Sequence, residues 1–179
     1  RDDVESRGLG DVYKRQAHIL GLNSVAERYA DIAKKMAMKW EEMANEGDHY
    51  RLAFDRNNTW SQKYNIIWDK MWNLNIFPNN VISKEINYYL TKQNLYGLPL
   101  DSRRDYTKSD WIMWTAAMSP NREIFEKFVD PLYKYINETT SRVPISDWHD
   151  TKTGRMTGFK ARSVIGGYWI QVLMDKMNH

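Results

Sequence analysis

Residues 24–47 read S-V-A-E-R-Y-A-D-I-A-K-K-M-A-M-K-W-E-E-M-A-N-E-G. Ala26, Tyr29, Ala30, Ala33, Met36, Ala37, Trp40, Met43 and Ala44 recur at the three- and four-residue steps of one helix face. Ser24 and Glu27 have the spacing of a capping box, in which a hydroxyl and a carboxylate satisfy the free amides of a first turn. Gly47 supplies the stop. The stretch predicts one long amphipathic helix that begins at Ser24 and ends before Gly47.

The same period continues downstream. Trp60–Trp72 predicts a second, largely buried helix, with Tyr64, Ile67, Trp68 and Met71 on one face. Pro78 breaks it within Asn73–Asn80. Val81–Gln93 predicts a third helix with Ile82, Ile86, Tyr89 and Leu90 inward. A fourth runs from about Lys108 to Met118. Ser119 and Pro120 form an N-cap and first-turn pair for a fifth, which reaches Ile136 and bends at Pro131. Ala161–Met177 is the last, and Gly166–Gly167 marks a close helix contact. No segment alternates convincingly at the period of a strand. Long helices joined by loops that are alternately short and long predict an all-α fold of about three antiparallel hairpins. The long loops, Asp48–Thr59, Asn94–Thr107 and Asn137–Lys160, then emerge on one side, and they carry most of the unusual polar residues.

The chain has 179 residues, enough to bury a core. Eight Trp and eleven Tyr fill a large interior or line a cleft. The net charge of +3 comes from interspersed residues with no basic run, which argues against nucleic acid as a partner. No apolar run approaches the length of a membrane span. Without cysteine there are no disulfides and no thiolate metal sites.

Arg1–Gln16 reads as foreign. Asp11–Gln16, D-V-Y-K-R-Q, is the translation of a transposase end used in sequencing libraries, and Ser6–Gly10 continues the same frame. The expectation is adapter read-through on an incomplete metagenomic gene: non-native and disordered over 1–16, with the native chain from Ala17 and an N-terminal part missing.

Four polar constellations stand out. Phe54–Asn65 carries Asp55, Trp60, Gln62 and Lys63, an acid or base beside a binding wall, or else a turn that caps a helix. Gly97–Trp111 packs Asp101, Asp105 and Asp110 among Arg103, Arg104 and Lys108, more carboxylates than capping needs. One of these aspartates is expected to act as general acid or base, and Arg103 to clamp a carboxylate, or else this is a salt-bridged loop in which Thr107 or Ser109 caps the fourth helix. Arg142–Thr151 carries Asp147, Trp148, His149 and Asp150. A lone loop histidine is usually structural, and this set is too small for zinc. In Gly158–Gly167, Arg162 either reaches a ligand carboxylate or pairs with a loop aspartate. The glycines make no dinucleotide fingerprint, and there is no nucleophile elbow or phosphate loop.

These same segments carry a resemblance. F-D-R-N-N-T-W-S-Q-K-Y-N (54–65), Y-G-L-P-L-D-S-R-R-D-Y-T-K-S-D-W (96–111), R-V-P-I-S-D-W (142–148) and G-F-K-A-R-S-V-I-G-G (158–167) resemble the C-terminal six-helical-hairpin domain of the glutaminase A family. The resemblance covers Ala17 to His179. It implies an α/α toroid, of which three hairpins are about half, and hydrolysis of L-glutamine to glutamate and ammonia. It also implies a bacterial protein that is secreted or periplasmic. The candidate catalytic residues are Asp101, Asp105, Asp110, Asp55 and Asp147. The candidate substrate contacts are Arg103, Lys63, Gln62, Trp60, Trp111, Trp148 and Arg162. No metal or cofactor is expected. The expected partners are a small molecule, glutamine or a sugar, and the missing N-terminal part. The alternative is a glycoside hydrolase or carbohydrate-binding domain that uses paired carboxylates and Trp60, Trp111 and Trp148 as platforms. The fragment alone is expected to be inactive.

Overall fold

The computed structural model describes residues 14–177. The expectation of a disordered tail falls mostly on residues 1–13, outside the described residues. Residues 14–16 belong to a short helix over 14–19, and the Lys14 ammonium donates to the Leu74 carbonyl at 2.9 Å.

The architecture is mainly helical, as the periodicity predicts. Helix α1 spans Asn23–Ala44 and buries Ala26, Ala33, Ala37, Trp40 and Ala44. Small residues along this face let the helix approach its neighbours closely. Ser24 does not cap it: the N-cap position is Leu22 and has no side-chain bond, so the capping box does not form. The predicted second helix is much shorter. Tyr64–Ile66 is a 3-10 turn that leads into α2, Ile67–Met71. Trp60–Lys63 is not helical, because its backbone groups find partners in a loop. The Gln62 amide donates to the Leu100 carbonyl at 2.8 Å, and the Ser102 amide donates to the Trp60 carbonyl at 2.9 Å.

Helix α3 covers Asn80–Leu90. Strand β1, Tyr106–Lys108, runs directly into α4, Ser109–Ala117. Helix α5, Arg122–Glu138, starts after Asn121, whose side chain accepts from the Ile124 amide at 2.9 Å. The cap therefore lies two residues beyond the Ser119 expected. Pro131 sits inside α5 and provides no amide for the Lys127 carbonyl one turn back. The Gln93 side chain donates to that carbonyl at 2.8 Å instead, so the backbone acceptor stays satisfied.

Strand β2, Trp148–Asp150, pairs antiparallel with β1, with Tyr106 opposite Asp150, Thr107 opposite His149 and Lys108 opposite Trp148. Three-residue strands are too short to show a period, and this short ladder sits within a fold that is otherwise helical. The last segment is a 3-10 stretch, Ser163–Trp169, followed by α6, Ile170–Met177. The paired glycines weaken the α-helix predicted from Ala161.

Helix α4 is the hub. It packs against α5, the 3-10 stretch and α6. Ile112 and Ala116 on α4 join Trp40, Tyr50, Tyr89, Phe128 and Tyr135 in one core. At Gly97, φ is +122°, and an added methyl would meet Ile112 Cδ1 at 2.8 Å, so the loop before β1 needs glycine to lie on α4. Two of the three long loops meet: the Tyr96 amide donates to the Thr151 carbonyl at 2.8 Å, and the Thr151 amide to the Asp105 carbonyl at 2.7 Å. No helix among the described residues is long and apolar enough to cross a membrane.

Candidate functional site

The aspartates of Gly97–Trp111 separate into two environments. Asp101 and Asp105 line an open groove of about 320 Å³ together with Trp60, Lys92, Arg104 and Lys152. Asp101 is 4% exposed. Arg103 grips it in a fork, with Nε at 2.9 Å and Nη2 at 2.6 Å, while the Arg103 amide donates to the same carboxylate. Arg103 is thus occupied by its own loop. Asp105 pairs with Lys152 at 2.9 Å. Asp55 is exposed in its turn.

Asp110 lies in the first turn of α4 and is 5% exposed. Its Oδ1 is buried and has no hydrogen-bond partner. Burial raises its pKa to about 6. The negative charge of Asp147 adds to the shift, while backbone amides at the helix start and Lys108 oppose it. A carboxyl poised near neutrality exchanges protons readily at working pH.

Asp147 is fully buried yet has the opposite character. Burial pushes its pKa up, but Arg162 and Lys108 outweigh burial and hold it below the usual carboxylate range. Arg162 donates through Nε at 3.0 Å and through Nη2, and Lys108 Nζ lies 3.4 Å away. Burial lowers the Lys108 pKa, and Asp147 resists the shift. The Lys108 ammonium also sits over the Trp148 ring at 4.3 Å, and the Arg162 guanidinium over Phe159 at 4.4 Å. The backbone joins the two aspartates: the Ser109 amide donates to the Asp147 carbonyl at 2.8 Å, and the Tyr168 hydroxyl donates to Ser109 Oγ at 2.6 Å.

Several expected contacts are structural ties. Gln62 is buried and donates to the Leu98 and Pro99 carbonyls at 3.1 and 2.9 Å, while its carbonyl accepts from the Thr115 hydroxyl at 3.0 Å. Lys63 reaches the carbonyls of Tyr50 and Ser61 at 3.2 and 3.0 Å. Trp60 is buried in the core, Trp111 stacks flat on Tyr64 at 4.1 Å, and Trp148 packs on Phe159 at 5.3 Å. His149 is buried, stacks on Tyr135 at 3.6 Å and donates from Nε2 to the Tyr96 carbonyl at 2.8 Å. Burial lowers its pKa to about 4, so it is a neutral core residue. Asp150 caps the following turn through the amides of Lys152 and Thr153. Among the described residues no group of three or more metal-ligating side chains is arranged to hold a metal ion.

Sequence reasoning passed over three groups around Asp110. Tyr64 stacks on Trp111, and burial raises its phenol to about 12, with the Asp110 charge adding to the shift. Tyr168 responds to both aspartates. Trp114 stands edge-on to Trp68 at 5.1 Å, and its Nε1 is buried without a partner. Of the three, the sequence pattern places only Tyr64, on an apolar helix face.

Residues 11–172 match a family described as the glutaminase A six helical-hairpin domain. A protein named glutaminase A from Aspergillus oryzae is 32% identical over 156 residues, which is 83% of this chain and 22% of that protein. A protein named as a probable glutaminase from Arthroderma benhamiae is 26% identical over 202 residues, covering 88% of this chain and 23% of its own length. The chain thus spans under a quarter of the curated relatives that it matches. No solved structure shows significant similarity to it.

Proposed function

The chain belongs to the glutaminase A family through its six helical-hairpin domain, and we propose that it is part of an enzyme that hydrolyses L-glutamine to L-glutamate and ammonia. The observation that carries the reading is Asp110: a buried carboxyl with an unpartnered oxygen and a pKa near 6, in a chain of this family. Asp110 takes a proton from the attacking water and returns it to the departing nitrogen. Asp147 is not the second acid, since Arg162 and Lys108 keep it ionised. Its role is to anchor those two cations. The bonds of Arg162 to Asp147 use Nε and Nη2, which leaves Nη1 for the α-carboxylate of an amino acid.

In the same proposal the helices form part of an α/α ring, and the rest of the polypeptide covers what this chain leaves open. Val25, Ile32, Met36 and Met43 are exposed on α1, as are Val172, Leu173 and Met177 on α6. Helices α1 and α6 thus expose apolar side chains, as the two edges of an arc would. Export from the cytoplasm belongs to the same reading and rests on the resemblance alone.

The test is ammonia release from glutamine by the full-length protein, beside a panel of glycosides. Asp110→Asn is expected to lower kcat by about 100-fold or more. A wild-type protein that releases no ammonia above background sinks the proposal.

A further inference from the structure

Oδ1 of Asp110 and Nε1 of Trp114 are both buried and both without a hydrogen-bond partner. Unpaired buried polar atoms are costly, and two together call for an explanation. The residues stand four apart on α4, so their side chains leave the same face of the helix. A methyl added at Gly167 would lie 3.2 Å from Asp110 Cβ and 2.8 Å from Trp114 Nε1. Both side chains therefore converge on the backbone of Gly167, in the 3-10 stretch that crosses α4. Beside Gly166 the added methyl would meet nothing within 4 Å, so this stretch is tight at one glycine and open at the next.

A carboxylate acceptor beside an N–H donor complements a group that carries one acceptor and one donor in the same plane. A primary carboxamide is such a group: its NH₂ donates and its C=O accepts. A carboxylate product offers no donor to Asp110.

We propose that Trp114 is a catalytic residue whose indole N–H donates to the substrate's amide oxygen, while Asp110 faces the amide nitrogen and Gly167, with no side chain of its own, lies against both groups as a wall of the site. This rests on the hydrolase reading above. As the water oxygen bonds to the amide carbon, the C=O pair moves onto the carbonyl oxygen, and the indole N–H holds the charge that develops there. Asp110 accepts the water's proton and passes it to the nitrogen. The C–N bond then breaks as C=O re-forms, ammonia leaves, and the acid product loses its proton to solvent. Edge-on packing against Trp68 at 5.1 Å and Tyr64 at 6.1 Å fixes the direction of the indole, so the donor needs no reorientation.

The test is steady-state kinetics of the full-length protein with glutamine. Trp114→Phe keeps an aromatic ring and removes the donor. The expected result is a fall in kcat of about 100-fold with KM nearly unchanged, since the bond strengthens only as the oxyanion forms. A purely structural role would instead lower the unfolding midpoint and leave kcat per folded molecule intact. Gly167→Ala is the second variant, and an expected drop in kcat/KM of at least about tenfold decides the matter if Trp114→Phe does not fold. Should Asp110→Asn be inactive while Trp114→Phe, or Gly167→Ala in its place, retains wild-type kinetics, this inference fails and the hydrolase reading stands. A wild-type protein without glutaminase activity overturns both.

Discussion

Arg162 and Asp147, fifteen residues apart, form a forked ion pair in which the carboxylate is wholly buried. Lys108 completes the charge balance from the end of β1. Removing the guanidinium leaves Asp147 with one cation at 3.4 Å. Arg162→Met is expected to destabilise the fold, read as a lower urea midpoint at neutral pH. Asp147 titrates below its ordinary pKa in the folded state, so the pair's contribution is present above about pH 4 and fades as pH falls through the depressed folded value. The Met variant should therefore lose its disadvantage in strong acid.

Asp110 runs the other way. Its folded pKa of about 6 lies above the ordinary value of 3.8, so between these the folded state binds the extra proton. Stability falls as pH rises across that window, and the full penalty stands above it. Asp110→Asn removes the ionised group. The variant should be more stable than wild type at about pH 8, by up to about 3 kcal/mol, and nearly equal to it at about pH 4. Thermal melts at the two pH values check this. A gain in stability together with a loss of turnover is what a residue kept for chemistry would show.

His149 carries a third pH signature. Its folded pKa of about 4 lies below the ordinary 6.5, so the unfolded chain binds the proton first. Acidification from about pH 6.5 to pH 4 should cost up to about 3 kcal/mol from this residue alone. Proton NMR of the His149 ring is expected to show no titration until about pH 4. A midpoint near 6.5 would mean that the stack on Tyr135 does not exclude the charge.

The fold was legible wherever a helix is long enough to repeat its pattern. Asn23–Ala44, Asn80–Leu90 and Arg122–Glu138 follow from apolar spacing, although Tyr29, Met36 and Met43, assigned to the inner face of the first helix, are exposed. Trp60–Lys63 misled because Trp60 and Tyr64 have helical spacing, while the partners that extend this segment lie some forty residues away in sequence, at Leu100 and Ser102. The candidate site was legible as a list of residues but not as an arrangement. Asp110 and Asp147 are both aspartates beside tryptophans, and nothing local says that one loses its cations to the other. That division depends on Arg162 reaching back to Asp147, fifteen residues earlier. The unpaired indole of Trp114 is invisible in sequence, since a tryptophan on a buried helix face reads as core.

Gln62 illustrates how a polar residue near a site can serve the scaffold. One amide group secures the Leu98 and Pro99 carbonyls and the Thr115 hydroxyl. Gln62→Leu strands these buried groups and should cost about 3 kcal/mol by denaturant titration. In the full-length protein the KM for glutamine should stay close to wild type, which separates this role from substrate contact.

Helix α1 predicts how the chain behaves alone. Val25, Ile32, Met36 and Met43 are exposed along it, on a different face from the buried alanines. Such a stripe drives association. The 179-residue chain is expected to sediment as oligomers, and Ile32→Lys with Met36→Lys to raise the monomer fraction. Both substitutions should destabilise the full-length protein if the rest of the ring covers this face.

The short ladder between β1 and β2 has a consequence for how this site can change over generations. Backbone pairing of Lys108 with Trp148, continued by the Ser109 amide on the Asp147 carbonyl, sets where residues 109–110 and 147 stand. Main-chain bonds survive most side-chain replacements. A lineage can therefore alter the charge, size or acidity of the groups at this position one substitution at a time while the spacing between the two chain segments is inherited unchanged.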